Sequence, residues 1–263
     1  MSRKNPAACN VTDGNPSNVP QRPTDKTVVL LHGLGLASWA MKRFETALRR
    51  DGFRVLNLSY PSRHVPLEEL AAHWLPGALQ ATGAGLPVRL HFVTHSMGGI
   101  VLRAYLRAHP LVTPGNVVML APPNAGSEVV DRLSRFPPFR WFTGVNGARL
   151  GTAADSFPRI LGPWRARTDS ITSTRSGPAA EADAGRLGII AGDRTFNPLF
   201  SSWIAGPNDG KVSVASTRLD GMDDFLVLHH SHTWLQWHRE TIHHVRTFLH
   251  TGRFDHAART GHL

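Results

Sequence analysis

The sequence predicts an α/β domain with a mostly parallel central sheet that carries helices on both faces. Short apolar runs typical of buried strands alternate along the chain with segments of helical spacing, which is the order found in doubly wound proteins. The first run, TVVLL at 27–31, is apolar throughout, as expected of a central parallel strand buried on both faces. The 263 residues suffice for one large domain with a substantial core.

The predicted elements follow one another in a regular order. Strands are expected at 27–31, 53–60, 88–93, 116–121, 187–191 and 225–228. Helices are expected at 40–50, 67–79, 100–109, 128–133 and 234–249. Proline cannot donate to a helical hydrogen bond, so we expect the helix at 67–79 to break near Pro76.

The outer segments and one internal segment depart from this pattern. Residues 1–26 are predicted to be a flexible polar tail, 27–252 the domain, and 253–263 a C-terminal tail. Residues 134–185 contain many glycines, prolines and aromatic residues and show no clear helix or strand. In this architecture such an insertion lies over the carboxyl ends of the strands, so we predict that it forms a cap.

Composition and charge narrow the classes of function. Lys+Arg 29 against Asp+Glu 19 gives a net charge of +10, but no basic run is interleaved with aromatic residues, which argues against a nucleic-acid partner. The positive charge fits peripheral contact with an anionic membrane better than it fits nucleic-acid binding, although a role in solubility alone would also explain it. Cys9 is the single cysteine, which excludes an internal disulfide and argues against a thiol nucleophile. Without an apolar core in the first 26 residues or a long apolar run elsewhere, the expected location is the cytoplasm.

The stretch at 88–110 has the layout of a nucleophile elbow. An apolar strand leads into the tight corner THSMGG, with Ser96 at its apex, and a helix follows until Pro110. Gly98 and Gly99 remove side chains where helix and strand crowd together, and the start of the helix provides N–H groups where an oxyanion would form. The alternative is an ordinary turn in which Ser96 only caps a helix. The first glycine of G-x-S-x-G is replaced by Thr94, which is larger than the position usually allows.

A second glycine-rich turn, HGLGL at 32–36, follows the first predicted strand. A dinucleotide-binding loop would need G-x-G-x-x-G, but Gly33-Leu34-Gly35 continues to Ser38. The strand that follows also lacks an acidic residue at its end. We therefore set a nucleotide cofactor aside.

Taken together, the two turns resemble the lipase and esterase branch of the α/β-hydrolases. The similarity lies in LLHGLGLASW followed by HFVTHSMGG, and 64 residues separate His32 from Ser96. It implies the α/β-hydrolase fold, with Ser96 as nucleophile and the backbone N–H groups of Leu34 and Met97 as oxyanion-hole donors. His32 would then steady its turn. The motif APPNAGS at 121–127 is similar to the TPxxGS turn of bacterial lipase-like members.

The acid and the base must follow the serine in the order Ser, Asp, His. Asp193 and Asp209 both lie after a late strand, and DGKVSV resembles the lipase turn, which favours Asp209 and keeps Asp193 as the alternative. His232 stands directly before the last helix, and His230 is the second choice. Three histidines in four residues also allow a metal site. Adjacent histidines point apart on an extended chain, however, and no H-E-x-x-H is present, so no metal is expected.

The resemblance implies a serine hydrolase that cleaves carboxylic esters of small molecules or lipids without a cofactor. An acyltransferase or amidase would use the same residues, and a non-catalytic binding protein is a further alternative, motivated by Thr94. Trp141, Phe142 and Trp164 are predicted to line an acyl pocket under the cap. They could instead form a small satellite core.

Overall fold

The computed structural model describes residues 27–82, 90–109, 114–164 and 185–257. The predicted tail at 1–26 and the predicted strand residues 88 and 89 lie outside this part of the chain.

Six parallel strands of the described residues form one sheet in the order β2-β1-β3-β4-β5-β6. All neighbouring strands pair in parallel, which confirms the predicted α/β class. The strands are β1 Thr27–Leu31, β2 Arg54–Leu58, β3 Leu90–His95, β4 Val117–Leu120, β5 Leu187–Gly192 and β6 Asp224–Leu228.

The helices connect these strands and cover the sheet. Those of the described residues are α1 Lys42–Arg50, α2 Leu67–Glu69, α3 Leu75–Ala81, α4 Met97–Ala108, α5 Glu128–Leu133, α6 Pro137–Gly147, α7 Phe157–Ile160, α8 Pro198–Ser201, α9 Val214–Thr217, α10 His232–Leu235 and α11 Arg239–Thr251. Short 3₁₀ turns precede α1 at Ser38–Met41 and follow α6 at Ala148–Leu150.

The two faces of the sheet bury separate cores because successive strand residues point to opposite sides. Within β1, Val29 and Leu31 face a core formed with α2, α3 and α4, whereas Val28 and Leu30 face a core formed with α1 and α11. Helices therefore lie on both faces, as predicted.

The predicted helix at 67–79 is interrupted as expected, but by a wider turn rather than a break. A π-helical segment at Leu70–Trp74 joins α2 to α3. Pro76 has no N–H to donate to the carbonyl of residue 72, and the π-helical segment ends two residues before it.

The last predicted helix, at 234–249, is two helices separated at residues 236–238. The Trp237 indole donates to the Ala40 carbonyl at 3.0 Å, and the Arg43 guanidinium donates to the Trp237 carbonyl at 2.6 Å. These contacts with a distant part of the chain stabilise the non-helical residues between α10 and α11.

Part of the insertion at 134–185 is helical, which corrects the prediction of no clear helix or strand there. Pro137 and Pro138 are the first two residues of α6, where a missing N–H costs nothing. Prolines in a segment without clear periodicity suggest irregular structure, but these two begin a helix. Residues 165–184 lie outside the described chain.

The C-terminal end of the domain extends beyond its predicted limit at 252. The ring of Phe254 is buried against Phe248, and the Phe254 N–H donates to Asp224 at 2.7 Å. The predicted tail at 253–263 thus begins with packed residues, and 258–263 lie outside the described chain. No described helix is both long and apolar enough to cross a membrane.

Candidate active site

The candidate site lies at the carboxyl ends of the strands. Ser96 follows β3, Asp209 lies in the long connection from β5 to β6, and His232 begins α10 just after β6. Gly192, at the end of β5, leaves the space that the Asp209 side chain and the His230 carbonyl occupy. A Cβ atom there would lie 2.9 Å from the Asp209 Cβ and would collide with the His230 carbonyl.

Ser96 occupies the tight corner with backbone angles φ 52° and ψ −124°. This left-handed conformation is costly for a residue with a side chain and is typical of functional sites held by their surroundings. Gly98 permits the close approach of α4 to β1, because a Cβ atom at that position would lie 2.6 Å from the Leu31 carbonyl oxygen. The corner also accommodates Thr94, whose hydroxyl lies 3.3 Å from where a Cβ of Gly99 would be.

The three side chains form a continuous line of hydrogen bonds. His232 Nε2 lies 3.0 Å from Ser96 Oγ, and His232 Nδ1 lies 2.7 Å from Asp209 Oδ2. An ionised carboxylate can only accept a hydrogen bond, so Nδ1 carries the proton and Nε2 is the acceptor facing the serine hydroxyl. This tautomer is the one that can remove a proton from Ser96.

Asp209 is held by backbone groups on its other oxygen. The N–H groups of Lys211 and Val212 donate to Oδ1 at 3.0 and 2.8 Å. The Asp209 side chain is fully buried, and its carbonyl accepts the His232 N–H at 3.0 Å. Charge-assisted bonds of this kind stabilise a buried carboxylate and fix its direction.

The alternative acid and base have different partners. Asp193 lies 2.9 Å from His229, and Glu240 lies 2.8 Å from His230. The histidines at 229, 230 and 232 therefore face three different carboxylates. Within the described ranges, no group of three or more His, Cys, Asp or Glu side chains could hold a metal ion.

The turn that contains Leu34 is fixed by its neighbours. His32 Nδ1 lies 2.8 Å from the Gly33 carbonyl, so its Nε2 accepts the Tyr60 N–H at 3.2 Å. The Tyr60 hydroxyl donates to the His32 carbonyl at 2.6 Å, and the two rings stack with centroids 4.2 Å apart. Burial lowers the pKa of His32 and raises that of Tyr60, so both side chains are neutral. Met97 is the first residue of α4.

His95 was not identified from the sequence as part of the site. Its Nε2 lies 3.1 Å from the His232 carbonyl, and the two imidazole centroids are 5.0 Å apart. Burial, reinforced by the neighbouring His232, lowers the pKa of His95 well below its ordinary value. The only sequence signal was its position directly before Ser96.

Asn146 on α6 has no sequence signal for a role near the site, but its side chain is fully buried. Its amide nitrogen donates to the carbonyls of Ser62 and Val65 at 2.9 and 2.7 Å, and its oxygen accepts the Leu67 N–H at 3.0 Å. The Ser62 hydroxyl in turn accepts the Gly35 N–H at 3.0 Å. Asn146 therefore ties α6 to the loop that holds the Leu34 turn.

The three predicted acyl-pocket residues have different surroundings. Trp141 and Phe142 lie exposed on α6. Trp164 packs beside Leu106 and Arg107 in the C-terminal half of α4. At 1.5 Å per helical residue, Arg107 lies ~16 Å along the helix from Ser96. An acyl-binding role for these three aromatic side chains stays a prediction.

Replacing Asn146 with alanine should destabilise the protein by ~2–4 kcal/mol, because three buried hydrogen bonds are lost and their backbone partners are left unpaired. Asn197→Ala is the matched control. That exposed asparagine caps α8 through a single bond to the Phe200 N–H, and its loss should cost ~1 kcal/mol. Urea unfolding of both variants measures the difference. Equal losses would contradict the role given to Asn146.

Buried histidines should make the protein less stable in mild acid. Burial lowers the pKa of His32, His95 and His244 in the folded chain. The unfolded chain therefore takes up protons first, below pH ~6.5, and folding stability falls as the pH decreases from there. Each group contributes a slope of up to ~1.4 kcal/mol per pH unit. Urea unfolding between neutral and mildly acidic pH should show this decline, and His244→Gln should flatten it. An unchanged slope in His244→Gln would contradict the assignment of that histidine.

The sequence and the fold are similar to those of known proteins. The sequence profile of the Alpha/beta hydrolase family matches residues 28–242. The mature lipase BlEst2 of Bacillus licheniformis has a TM-score of 0.61 at 18% identity, over 90% of this chain and 98% of that chain. The metagenomic carboxyl esterase MGS0156 has a TM-score of 0.53 at 17% identity, over 84% of this chain and 69% of that chain.

The phospholipase PlaB of Legionella pneumophila also has a TM-score of 0.53 at 17% identity, over 73% of this chain and 45% of that chain. At such identities these likenesses show the fold alone. No curated protein matches the chain by sequence.

Proposed function

Since the chain belongs to the alpha/beta hydrolase family, we propose that it is a serine hydrolase that cleaves carboxylic esters. The observation that carries this proposal is the hydrogen-bonded line from Ser96 through His232 to Asp209. The serine stands in a strained corner at the start of a helix, and the acid is buried behind the base. This arrangement suits acyl transfer through a covalent intermediate.

In the proposed reaction, Ser96 Oγ attacks the ester carbonyl while His232 Nε2 takes its proton. Asp209 stabilises the resulting imidazolium and keeps the ring in position. The backbone N–H groups of Leu34 and Met97 donate to the oxyanion. His232 then gives its proton to the departing alcohol, which leaves an acyl group on Ser96. Water, activated by the same histidine, releases the acid and restores the serine.

The proposed substrates are carboxylic esters of small molecules or lipids. The similar solved structures are described as a lipase, a carboxyl esterase and a phospholipase, which favours ester or lipid substrates. The proposed steps need no metal or organic cofactor. An amidase or acyltransferase would differ in the leaving group or in the acceptor that replaces water, not in the residues named above.

The test is a panel of p-nitrophenyl acetate, butyrate, octanoate and palmitate, with p-nitroanilides of the same acids as the amide control. We expect the esters to be hydrolysed and the anilides to react far more slowly. Release of nitrophenol that requires an added alcohol would indicate an acyltransferase. Turnover of the anilides at rates similar to the esters would indicate an amidase.

A further inference from the structure

Helix α6 presents an exposed aromatic surface, which we call the α6 surface. Its apolar members are Phe136, exposed by 58%, Trp141 by 80%, Phe142 by 60% and Val145 by 51%. Phe136 is the N-cap residue of α6, and the helix kinks at Gly144, so Val145 follows the kink. Single exposed apolar side chains need no explanation, but four within ten residues are a local apolar patch. Such a patch normally marks a contact with another molecule or with a membrane.

The charged residues of the segment at 134–149 all carry a positive charge. Residues 134–149 contain Arg135, Arg140 and Arg149 but no aspartate or glutamate. Arg149 is paired with Glu68, whereas Arg135 and Arg140 are exposed. The Arg63 guanidinium also lies over the Phe142 ring, 5.5 Å from its centroid. A partner that fits this surface is therefore apolar and anionic.

The nearby carboxylates do not cancel this charge. Asp131 accepts the Thr152 N–H and hydroxyl at 2.9 and 2.6 Å, which directs it toward that segment. Glu68 is occupied by Arg149. The overall charge of +10 has the same sign as the α6 surface.

The surface is also joined to the candidate active site. The Val145 N–H donates to the Arg63 carbonyl at 3.0 Å. Gly144 has φ 64°, and a Cβ atom there would collide with the same carbonyl, so only glycine permits this contact. The loop at 61–67 thus lies between α6 and the turn that contains Leu34, which it holds through Ser62.

We propose that the α6 surface docks on an anionic phospholipid membrane. Tryptophan and phenylalanine prefer the boundary between headgroups and acyl chains, and arginine is attracted to anionic headgroups. The mixture of both on one exposed helix fits a bilayer surface better than a protein groove, which would need a continuous apolar face. This inference rests on the proposed function, since a membrane would supply lipid esters as substrates.

The test is sedimentation with vesicles, using the Ser96→Ala chain so that catalysis does not enter the result. Vesicles of phosphatidylcholine alone are compared with vesicles of equal parts phosphatidylcholine and phosphatidylglycerol, at low and high salt. We expect binding to the mixed vesicles, weaker at high salt because surface charges are then screened. Trp141→Ser with Phe142→Ser should weaken binding roughly tenfold or more. Arg135→Gln with Arg140→Gln should reduce it to the level of neutral vesicles.

The matched control is Phe196→Ser. Phe196 is 66% exposed and lies under the Arg194 guanidinium at 5.1 Å, so its chemistry is similar, but it follows β5 rather than belonging to α6. We expect this variant to bind vesicles like the parent. Undiminished binding by the α6 variants, or an equal loss in Phe196→Ser, would overturn the proposal. Self-association of the parent without vesicles that the α6 variants abolish would assign the surface to a protein contact and would also overturn it.

This result is separate from the proposed function. Absence of ester turnover by the unmodified chain would overturn the function but not the vesicle result, which is measured on the Ser96→Ala chain. Conversely, failure to bind vesicles would leave hydrolysis of soluble esters unaffected.

Discussion

Replacing Ser96 with alanine should lower kcat/KM for p-nitrophenyl esters by ~10⁴-fold or more, while the fold stays intact. The Ser96 hydroxyl is the proposed nucleophile, and in its absence His232 Nε2 has no hydroxyl at this position to deprotonate. The variant should keep the conformation of the corner, because the backbone N–H of residue 96 still donates to the Leu120 carbonyl, at 2.8 Å in the parent. Initial rates measure the loss, and circular dichroism with thermal unfolding checks the fold.

The matched control for this loss is Ser231→Ala. Ser231 is a buried serine next to His232, outside the proposed line of proton transfer. It should lower activity far less than Ser96→Ala does. A Ser96→Ala protein that keeps half of the parent activity would contradict the elbow assignment.

Asp209→Asn should cost far more activity than Asp193→Asn. Asparagine keeps the shape of the side chain, but its amide group can donate to His232 Nδ1 and so favour the wrong tautomer for a base. A loss of ~10³–10⁴-fold in kcat is expected for Asp209→Asn. Asp193 contacts His229 at the surface instead, so Asp193→Asn should leave kcat within a few-fold of the parent value.

The pair is informative because both aspartates follow β5 and both lie beside a histidine. Measurement of kcat and KM for each variant on one soluble ester distinguishes them. Equal losses, or a larger loss in Asp193→Asn, would transfer the role of the acid to Asp193.

The sequence predicted the sheet well because buried parallel strands have a strong local signal. The run at 27–31 is β1 with the same limits, and 128–133 is α5 with the same limits. Alternation of residues such as Val28 and Val29 between two cores follows directly from strand geometry. The α/β class and the family likeness were therefore accessible without coordinates.

The order of Ser96, Asp209 and His232 along the chain was also accessible, and the structure brings their side chains into hydrogen-bond contact. Their catalytic roles remain proposals. The DGKVSV motif favours Asp209 over Asp193, but sequence alone cannot show which carboxylate contacts which histidine.

Contacts between distant segments could not be predicted. His95 meets a carbonyl 137 residues further along the chain, and Asn146 meets a loop that precedes it by about 80 residues. Neither residue type has a local signature for such a role. Helix α6 is hard to recognise for a different reason: its sequence begins with two prolines, and proline ends a helix in its interior but is favoured at its start.

The most direct test of an activated serine is labelling with a fluorophosphonate, followed by peptide mass spectrometry to locate the adduct. The probe reacts with a serine whose neighbouring base removes its proton, and it requires no knowledge of the natural substrate. We predict one adduct per chain, on Ser96, that is absent in Ser96→Ala and forms much more slowly in Asp209→Asn. An unlabelled folded protein, or an adduct on another residue, would contradict the proposal that Ser96, His232 and Asp209 form a working catalytic triad.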